Sequence, residues 1–140
     1  MPYLQLDVSR RYTVEVKRRL AQHLGRIYAD VMQTNPDKVT VAFRELEEDS
    51  LWRCGIGDAV PAAVLMCDIR RGRSVEQRAR LAEALAAACV QALALTSTAL
   101  LVEFTQHAGD EIFAPGRGLA PEWTPAEAQT PASEKFVRHR

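Results

Sequence analysis

The hydrophobic pattern changes its period twice in the first third of the chain. Apolar and polar residues alternate over residues 3–8, which predicts a half-buried strand. From residue 13 to residue 31 the apolar positions recur every three or four residues, and this spacing predicts an amphipathic helix. The turn residues Asn35-Pro36-Asp37 end the helix, and alternation over residues 39–43 then predicts a second strand.

The same order of elements returns in the second half of the chain. Residues 62–69 form an almost uninterrupted apolar run, as expected for a central strand. Ser74 followed by Gln77 has the spacing of a capping box, which predicts a helix from that point to about Leu95. Residues 99–104 are again apolar, and they predict the strand that follows this helix.

The two halves are an internal duplication with an offset of 61 residues. Asp7 then lies over Asp68, and Arg10 over Arg71, without a gap. Each half is therefore a β-α-β unit, in which the connecting helix implies parallel strands and a right-handed crossover. We expect an α/β (α+β) fold in which the duplicated units form a four-stranded mixed sheet with two helices on one face.

That arrangement leaves the second face of the sheet uncovered by the chain. We expect another subunit to cover it in a symmetric oligomer. The predicted organisation is one domain, two repeats and a proline-containing tail: residues 1–123, with repeats 2–60 and 62–113, and residues 124–140. Four of the seven prolines lie in the last 26 residues, so we expect an irregular segment there, ordered as far as Trp123.

Composition and charge exclude several classes of partner. The chain has 18 Lys plus Arg and 18 Asp plus Glu, and this balance argues against a protein that binds nucleic acid or a membrane surface. Cys54, Cys67 and Cys89 have neither disulfide-framework nor metal-ligand spacing, so we expect reduced thiols in a cytoplasmic protein. The N-terminal residues lack the apolar segment of a secretory signal.

Pro2 is the first residue with candidate chemistry. The initiator Met is usually removed before a small residue such as proline, and its removal exposes a secondary amine. An α-amino group titrates at about 7.7–8.0, so this amine can act as a base or an acid at neutral pH. Pro2 directly precedes the first strand, which would hold the amine in place, whereas a retained Met1 would block it.

Three arginines stand together just before the predicted N-cap Ser74. They are Arg70, Arg71 and Arg73, with Gly72 allowing a tight turn. Cations oppose the dipole at a helix N-terminus, so their presence there points to a bound anion such as a carboxylate. A solvated basic turn, or ion pairing with glutamates of a neighbouring chain, is the alternative.

Four further residues are weaker candidates. Asp37 follows Pro36 at the end of the first helix, where an aspartate commonly caps a turn. Tyr28 and Phe113 can be explained by packing alone, while Glu103 interrupts an apolar strand and is more unusual. None of the three histidines has a ligand or catalytic partner at a telling spacing, and we expect no metal site.

A proline that opens a strand, a duplicated β-α-β unit and arginines at the second strand-to-helix junction together resemble the tautomerase superfamily. The resemblance covers residues 2–123 and implies a catalytic amino-terminal proline in a long, trimeric member of the superfamily. The pattern over residues 41–50 and 69–74 is similar to the cis-3-chloroacrylic acid dehalogenase-like group. This similarity implies catalysis by Pro2 and carboxylate binding by Arg70 and Arg73.

The other catalytic positions of the dehalogenase-like group differ in this chain. Tyr28 stands where that group has a histidine in the first helix. Glu103 falls near its tyrosine in the last strand, and Ala114 falls at the glutamate that activates water. Hydrolytic dehalogenation therefore lacks its water activator.

A second group, similar to malonate semialdehyde decarboxylase, matches other residues. The resemblance implies functional roles for Pro2, for Asp37 as the aspartate after the first helix, and for Arg71 and Arg73 as two arginines spaced R-x-R. The segment that begins at Phe113 also looks like the C-terminal pattern of that enzyme. Which arginine pair binds the substrate is left open by the two resemblances.

The function that follows is a Pro2-dependent tautomerase for a short 2-oxo or enol carboxylate, with no cofactor and with a homotrimeric assembly. Guanidinium groups near Pro2 would lower the pKa of its amine and favour a base. Asp37, if close, would raise that pKa and favour a cationic proline suited to decarboxylation. Decarboxylase, dehalogenase or hydratase activity is the alternative, and a non-catalytic module that binds a small ligand is a second one.

Overall fold

Four strands form one mixed sheet, and two long helices pack together on one of its faces. A computed structural model describes residues 2–120 of the chain. The helices and strands are β1 Tyr3–Val8, α1 Val14–Met32, β2 Thr40–Glu45, β3 Trp52–Arg53, β4 Val60–Pro61, β5 Ala63–Arg70, α2 Val75–Leu93, β6 Leu100–His107, β7 Phe113–Ala114 and β8 Gly118–Leu119.

The sheet order is β2-β1-β5-β6, so the first strand of each repeat lies in the centre. β1 and β2 are parallel, as are β5 and β6, while β1 and β5 pair in antiparallel orientation with Tyr3 opposite Asp68. The two β-α-β units are thus related by a pseudo-twofold axis between the central strands. The predicted duplication and mixed four-stranded sheet are confirmed.

Period-two burial in the central strands builds the core. Leu4, Leu6 and Val8 of β1 are at most 1% exposed, and the alternating residues of β5 are buried in the same way. The helices contribute leucines that are at most 2% exposed, among them Leu20 and Leu81. Since the buried residues of both strands and both helices meet in one cluster, the helices cover a single face of the sheet.

Leu65→Ala should lower the free energy of unfolding by about 3 kcal/mol, because Leu65 is fully buried on a central strand and its loss leaves a cavity. Chemical denaturation followed by circular dichroism measures this change. Leu119→Ala is the matched control, since Leu119 is 46% exposed, and it should change stability by less than about 0.5 kcal/mol. Equal effects of the two substitutions would contradict this account of the core.

The helix-free face of the sheet carries a mixture of apolar and polar side chains. Tyr3 is 37% exposed and Leu101 is 50% exposed, although both belong to the main sheet. Val64 and Met66 of β5 also point to this face because the residues that alternate with them along the strand are buried against the helices. Apolar residues on an uncovered sheet face are typical of a surface that meets another protein.

Three boundaries differ from the sequence predictions. α2 ends at Leu93 because Ala94 adopts a left-handed conformation with φ of 52°, and β6 continues to His107. The expectation of an irregular chain from residue 115 is wrong for residues 115–119, because these residues belong to the β7–β8 hairpin. Gly116, with a positive φ, forms the turn of this hairpin. The predicted tail over residues 124–140 and its predicted limit at Trp123 lie outside the described residues.

A partly buried ion pair links α1 to the end of β2. Lys17 Nζ lies 2.6 Å from Glu45 Oε1, and the backbone N–H of Tyr12 donates to Glu45 Oε2 over 2.6 Å. The Lys17 ammonium and the Tyr12 N–H both favour the ionised carboxylate, so they hold the pKa of Glu45 below its usual value. The pair therefore stabilises the fold only while Glu45 is ionised.

Glu45→Gln should lower stability at pH 7 by about 1 kcal/mol. The pKa of Glu45 is lower in the folded chain than in the unfolded chain, so its contribution is complete above the unfolded value of about 4.3. It is then lost as the pH falls through the folded value. Thermal unfolding from pH 7 to pH 3 should show the wild-type and variant melting temperatures converging, and a constant difference would contradict the assignment.

Among residues 2–120, neither long helix combines the length and apolarity needed to cross a membrane.

Candidate active site

Pro2 is buried at the start of the central strand β1. Its carbonyl oxygen accepts the backbone N–H of Thr40 over 3.1 Å, which fixes it to the beginning of β2. On the other side of β1, Tyr3 is opposite Asp68, so Pro2 lies level with Ile69 near the end of β5. Pro2 is therefore held between the first residues of β2 and the last residues of β5.

The arginine-containing turn follows β5 at this same end of the sheet. Gly72 has φ of 103°, a conformation that favours glycine, and this turns the chain into the cap of α2. The side chain of Ser74 accepts the backbone N–H of Gln77 over 3.1 Å, as predicted. Arg70, Arg71 and Arg73 are all half-buried, so the predicted cationic cluster lies at the Pro2 end of the sheet.

Two hydrogen bonds hold the turn against its neighbours. The backbone N–H of Arg71 donates to the carbonyl oxygen of His107 over 2.7 Å. Arg73 Nη1 donates to the carbonyl oxygen of Met32, the last residue of α1, over 3.0 Å. Arg73 therefore has a structural contact as well as its predicted role.

Asp37 lies in the short 3₁₀ turn Pro36–Lys38 and is exposed. The turn leads into β2, whose first residue Thr40 pairs with Tyr3, so Asp37 is at the same end of the sheet as Pro2. Asn35 Oδ1 accepts the backbone N–H of Asp37 over 3.0 Å and caps the turn. The capping role considered for the aspartate therefore belongs to Asn35.

The three weaker candidates lie in different surroundings. Tyr28 is 2% exposed in the core cluster, in the last part of α1. Glu103 is exposed in the middle of β6, opposite Met66, and about 10 Å along the strand direction from the level of Pro2. Phe113 is 67% exposed on the β7–β8 hairpin. The elements that carry Tyr28 and Glu103, α1 and β6, both end at the Pro2 end of the sheet.

A charged network beside the arginine turn was missed at the level of sequence. His107 Nε2 lies 2.9 Å from Asp68 Oδ1, which also accepts the hydroxyl of Thr105 over 3.0 Å. His107 Nδ1 lies 3.4 Å from Glu111 Oε2, while Glu111 Oε1 accepts the backbone N–H of Ala108. The hydrogen bond from the Ala108 N–H lowers the pKa of Glu111, and the hydrogen bond with His107 lowers it further by a smaller amount.

Only the strand register could have revealed this network. β5 and β6 pair with Arg70 opposite His107 and Asp68 opposite Thr105, which brings Asp68 and His107 together diagonally across the two strands. The four-residue spacing of His107 and Glu111 was visible, but it indicates a contact mainly when both residues lie on one helix. The histidine thus gained its partners from tertiary structure.

The cysteines offer no nucleophile in the core. Burial raises the pKa values of Cys67 and Cys89 to about 12, so both thiols stay protonated at neutral pH, whereas Cys54 is exposed. Within residues 2–120, no group of three or more His, Cys, Asp or Glu side chains is placed to hold a metal ion.

Residues 2–60, the first repeat together with its buried proline, match the family model for tautomerase enzymes. Over this first repeat the chain resembles tautomerase superfamily enzymes. Members of this superfamily are generally enzymes that need no cofactor. No curated protein sequence matches the chain.

Solved structures with the same fold include several tautomerase superfamily members. One from the cis-3-chloroacrylic acid dehalogenase family has a TM-score of 0.74 and 21% identity, over 84% of this chain and 83% of that chain. Malonate semialdehyde decarboxylase has a TM-score of 0.66 and 16% identity, over 82% and 92%. A fused 4-OT that is a symmetric trimer has a TM-score of 0.72 and 19% identity, over 84% and 94%. At these identities the likeness concerns the fold.

Proposed function

We propose that this chain is a tautomerase superfamily enzyme that uses Pro2 as a general acid and base on a short 2-oxo or enol carboxylate. The observation that carries the proposal is the position of Pro2, buried at the start of a central strand and at the same end of the sheet as three half-buried arginines. A strand paired on both sides holds the backbone of Pro2 still, as a proton-transfer group requires.

In the proposed reaction, Arg73 with Arg70 or Arg71 holds the carboxylate of the enol substrate. The neutral amine of Pro2 takes the proton from the enol hydroxyl, and the enolate collapses to a carbonyl. Pro2 then returns the proton to the adjacent carbon, so no atom is gained or lost. Guanidinium groups near the amine lower its pKa, which keeps Pro2 neutral and basic at pH 7.

A decarboxylase-like reaction is the second candidate, and the exposed carboxylate of Asp37 at the same end of the sheet favours it. Because Asn35 caps the turn, Asp37 is not needed for that purpose. A carboxylate close to Pro2 would raise the pKa of its amine, and the resulting cation would polarise a 3-oxo group during loss of carbon dioxide. The pKa of Pro2, from the pH dependence of kcat/KM, separates these two chemistries.

The assembly and the extent of the domain are part of the same proposal. A homotrimer would cover the helix-free face of the sheet with its apolar residues Leu101 and Met66, and the fused 4-OT of the same fold is a symmetric trimer. We take residues 1–123 as one domain with repeats 2–60 and 62–113, followed by the tail 124–140. Sedimentation velocity measures the assembly directly, and a monomer would contradict it.

A substrate panel tests the reaction. Phenylenolpyruvate and 2-hydroxymuconate report tautomerisation, malonate semialdehyde reports decarboxylation, and the 3-chloroacrylates report dehalogenation. We expect the enol substrates to be turned over fastest and the chloroacrylates not at all. Intact mass should show a chain that begins at Pro2. A chain that retains Met1 and is inactive on the whole panel would replace the enzyme by a non-catalytic module that binds a small ligand.

A further inference from the structure

His107 lies at the end of β6, at the Pro2 end of the sheet, and both of its ring nitrogens face carboxylates. Nε2 is 2.9 Å from Asp68 Oδ1, and Nδ1 is 3.4 Å from Glu111 Oε2. A neutral imidazole has one N–H and can donate to one of these carboxylates, whereas the imidazolium donates to both. The arrangement therefore fits the protonated ring best.

Each of the two carboxylates is also held by β6 or by the turn that follows it. Asp68 Oδ1 accepts the hydroxyl of Thr105 over 3.0 Å, and Glu111 Oε1 accepts the backbone N–H of Ala108 over 3.0 Å. The hydrogen bond from Ala108 is the main cause of the lowered pKa of Glu111, so this carboxylate stays ionised at neutral pH. Both acidic side chains are therefore fixed next to the histidine.

The arginine turn contacts this network through the backbone of His107. Arg70 is opposite His107 in the β5–β6 register, and the Arg71 N–H donates to the carbonyl oxygen of His107 over 2.7 Å. Within residues 2–120, the ion-pair contacts of Asp68 and Glu111 are both with His107, and neither carboxylate forms an ion pair with an arginine. The histidine therefore takes up two acidic groups that lie beside the arginine turn.

Charged and titratable groups flank the imidazole ring on several elements. They are Asp68 and Arg70 of β5, Tyr3 opposite Asp68 on β1, Arg71 of the turn after β5, and Asp110 and Glu111 of the 3₁₀ turn Gly109–Glu111. The charge of Arg71 contributes to the lowered pKa of Glu111, so this guanidinium and this carboxylate attract each other. Since guanidinium and carboxylate groups form strong pairs, Asp68 and Glu111 would compete with a substrate carboxylate if His107 carried no charge.

We propose that His107 is a positioning residue for the carboxylate site. Its imidazolium holds Asp68 and Glu111, so that neither carboxylate competes with the substrate for the arginines. When the ring is neutral, one carboxylate loses its partner and pairs with an arginine, and the substrate binds more weakly. The inference rests on the proposed function, because it concerns the arginines assigned to the substrate, but His107 takes no part in the proton transfer by Pro2.

Isothermal titration calorimetry of the full chain with 3-phenylpropanoate tests this role without turnover, because this carboxylate has no oxo or enol group. Histidine side chains usually change their charge between pH 5 and pH 8, so the wild-type affinity should fall about tenfold from pH 5.5 to pH 8.5. His107→Gln should bind weakly at both pH values. His107→Lys keeps a cation and should bind tightly at both. Any titration of Pro2 is common to the three chains, so their differences report residue 107.

Removal of the two competing carboxylates should restore the affinity that His107→Gln loses. The triple variant His107→Gln, Asp68→Asn, Glu111→Gln still offers oxygen acceptors to the Thr105 hydroxyl and the Ala108 N–H. It should bind 3-phenylpropanoate about tenfold more tightly than His107→Gln, and equally at pH 5.5 and pH 8.5. His23→Gln changes an exposed histidine of α1 and is the matched control, which should keep the wild-type pH dependence.

Several results would overturn the role of His107. They are equally weak binding by His107→Lys and His107→Gln, a wild-type pH dependence in His107→Gln, no recovery in the triple variant, or no binding of the probe by the wild type at millimolar concentration. Kinetics separate this role from the proposed reaction. Probe binding as expected without turnover of any enol substrate would contradict the reaction alone. Turnover with the same KM in the wild type and His107→Gln would contradict the role of His107 alone.

Discussion

Replacement of Pro2 by alanine should lower kcat/KM for the best enol substrate by about 10²- to 10⁴-fold. The variant keeps an α-amino group at the same position but changes the secondary amine to a primary one, without the ring that fixes its direction. The backbone bond from Thr40 to the residue 2 carbonyl does not need the ring, so the sheet should stay intact. Steady-state kinetics measure the loss, and circular dichroism confirms the fold.

Two controls separate the amine from the ring. Inserting one alanine before Pro2 keeps the ring but places its nitrogen in a peptide bond, and this chain should be as inactive as Pro2→Ala. Pro115→Ala changes an exposed proline of the C-terminal hairpin and should keep wild-type kinetics. Full activity in the alanine-extended chain would contradict the proline mechanism, because that chain has no free amine at Pro2.

Replacement of the arginines that we propose to hold the substrate carboxylate by glutamine should lower kcat/KM by about 10²-fold, mainly through KM. The carboxylate loses a bidentate, charged hydrogen-bond donor, while the chemistry at Pro2 is unchanged. Comparing Arg70→Gln with Arg71→Gln identifies the partner of Arg73, since the two family resemblances differ on this residue. The backbone bond from Arg71 to His107 survives either change, so the turn keeps its position.

Arg73→Gln should have a second effect, because the Arg73 guanidinium also donates a hydrogen bond to the carbonyl oxygen of Met32. It should lower both kcat/KM and the melting temperature, because the hydrogen bond to Met32 is lost with the guanidinium. Arg80→Gln, an exposed arginine further along α2, is the matched control and should leave both quantities unchanged. If all three arginine variants kept the wild-type KM, the carboxylate would have to be held elsewhere.

Local patterns were sufficient to predict most of the fold. Alternation along β1 predicts a half-buried strand because successive side chains point to opposite faces. The cap at Ser74 was visible because one hydroxyl and the N–H three residues later are near in sequence. The offset of 61 residues then implied two equivalent units, and the pairing of β1 with β5 joins them as one sheet.

The candidate site was predicted in part. Pro2 and the arginine turn were recognised because one begins a strand and the other precedes a helix. The partners of His107 were not predicted, because Asp68 lies 39 residues earlier in the chain and contacts His107 only through the β5–β6 register. The role of Asn35 was also missed, since either Asn35 or Asp37 has a side chain able to cap that turn.

By itself, the sequence determined the two repeats, the order of their elements and the residue types available at each strand-to-helix junction. These features depend on residues close in the chain, for which periodicity and capping are direct physical signals. Only the tertiary structure decided that Pro2 and the arginine turn share one end of the sheet while Arg10 and the acidic loop over residues 47–49 share the other. That division follows from the antiparallel pairing of β1 with β5, which places the start of each strand beside the end of its partner.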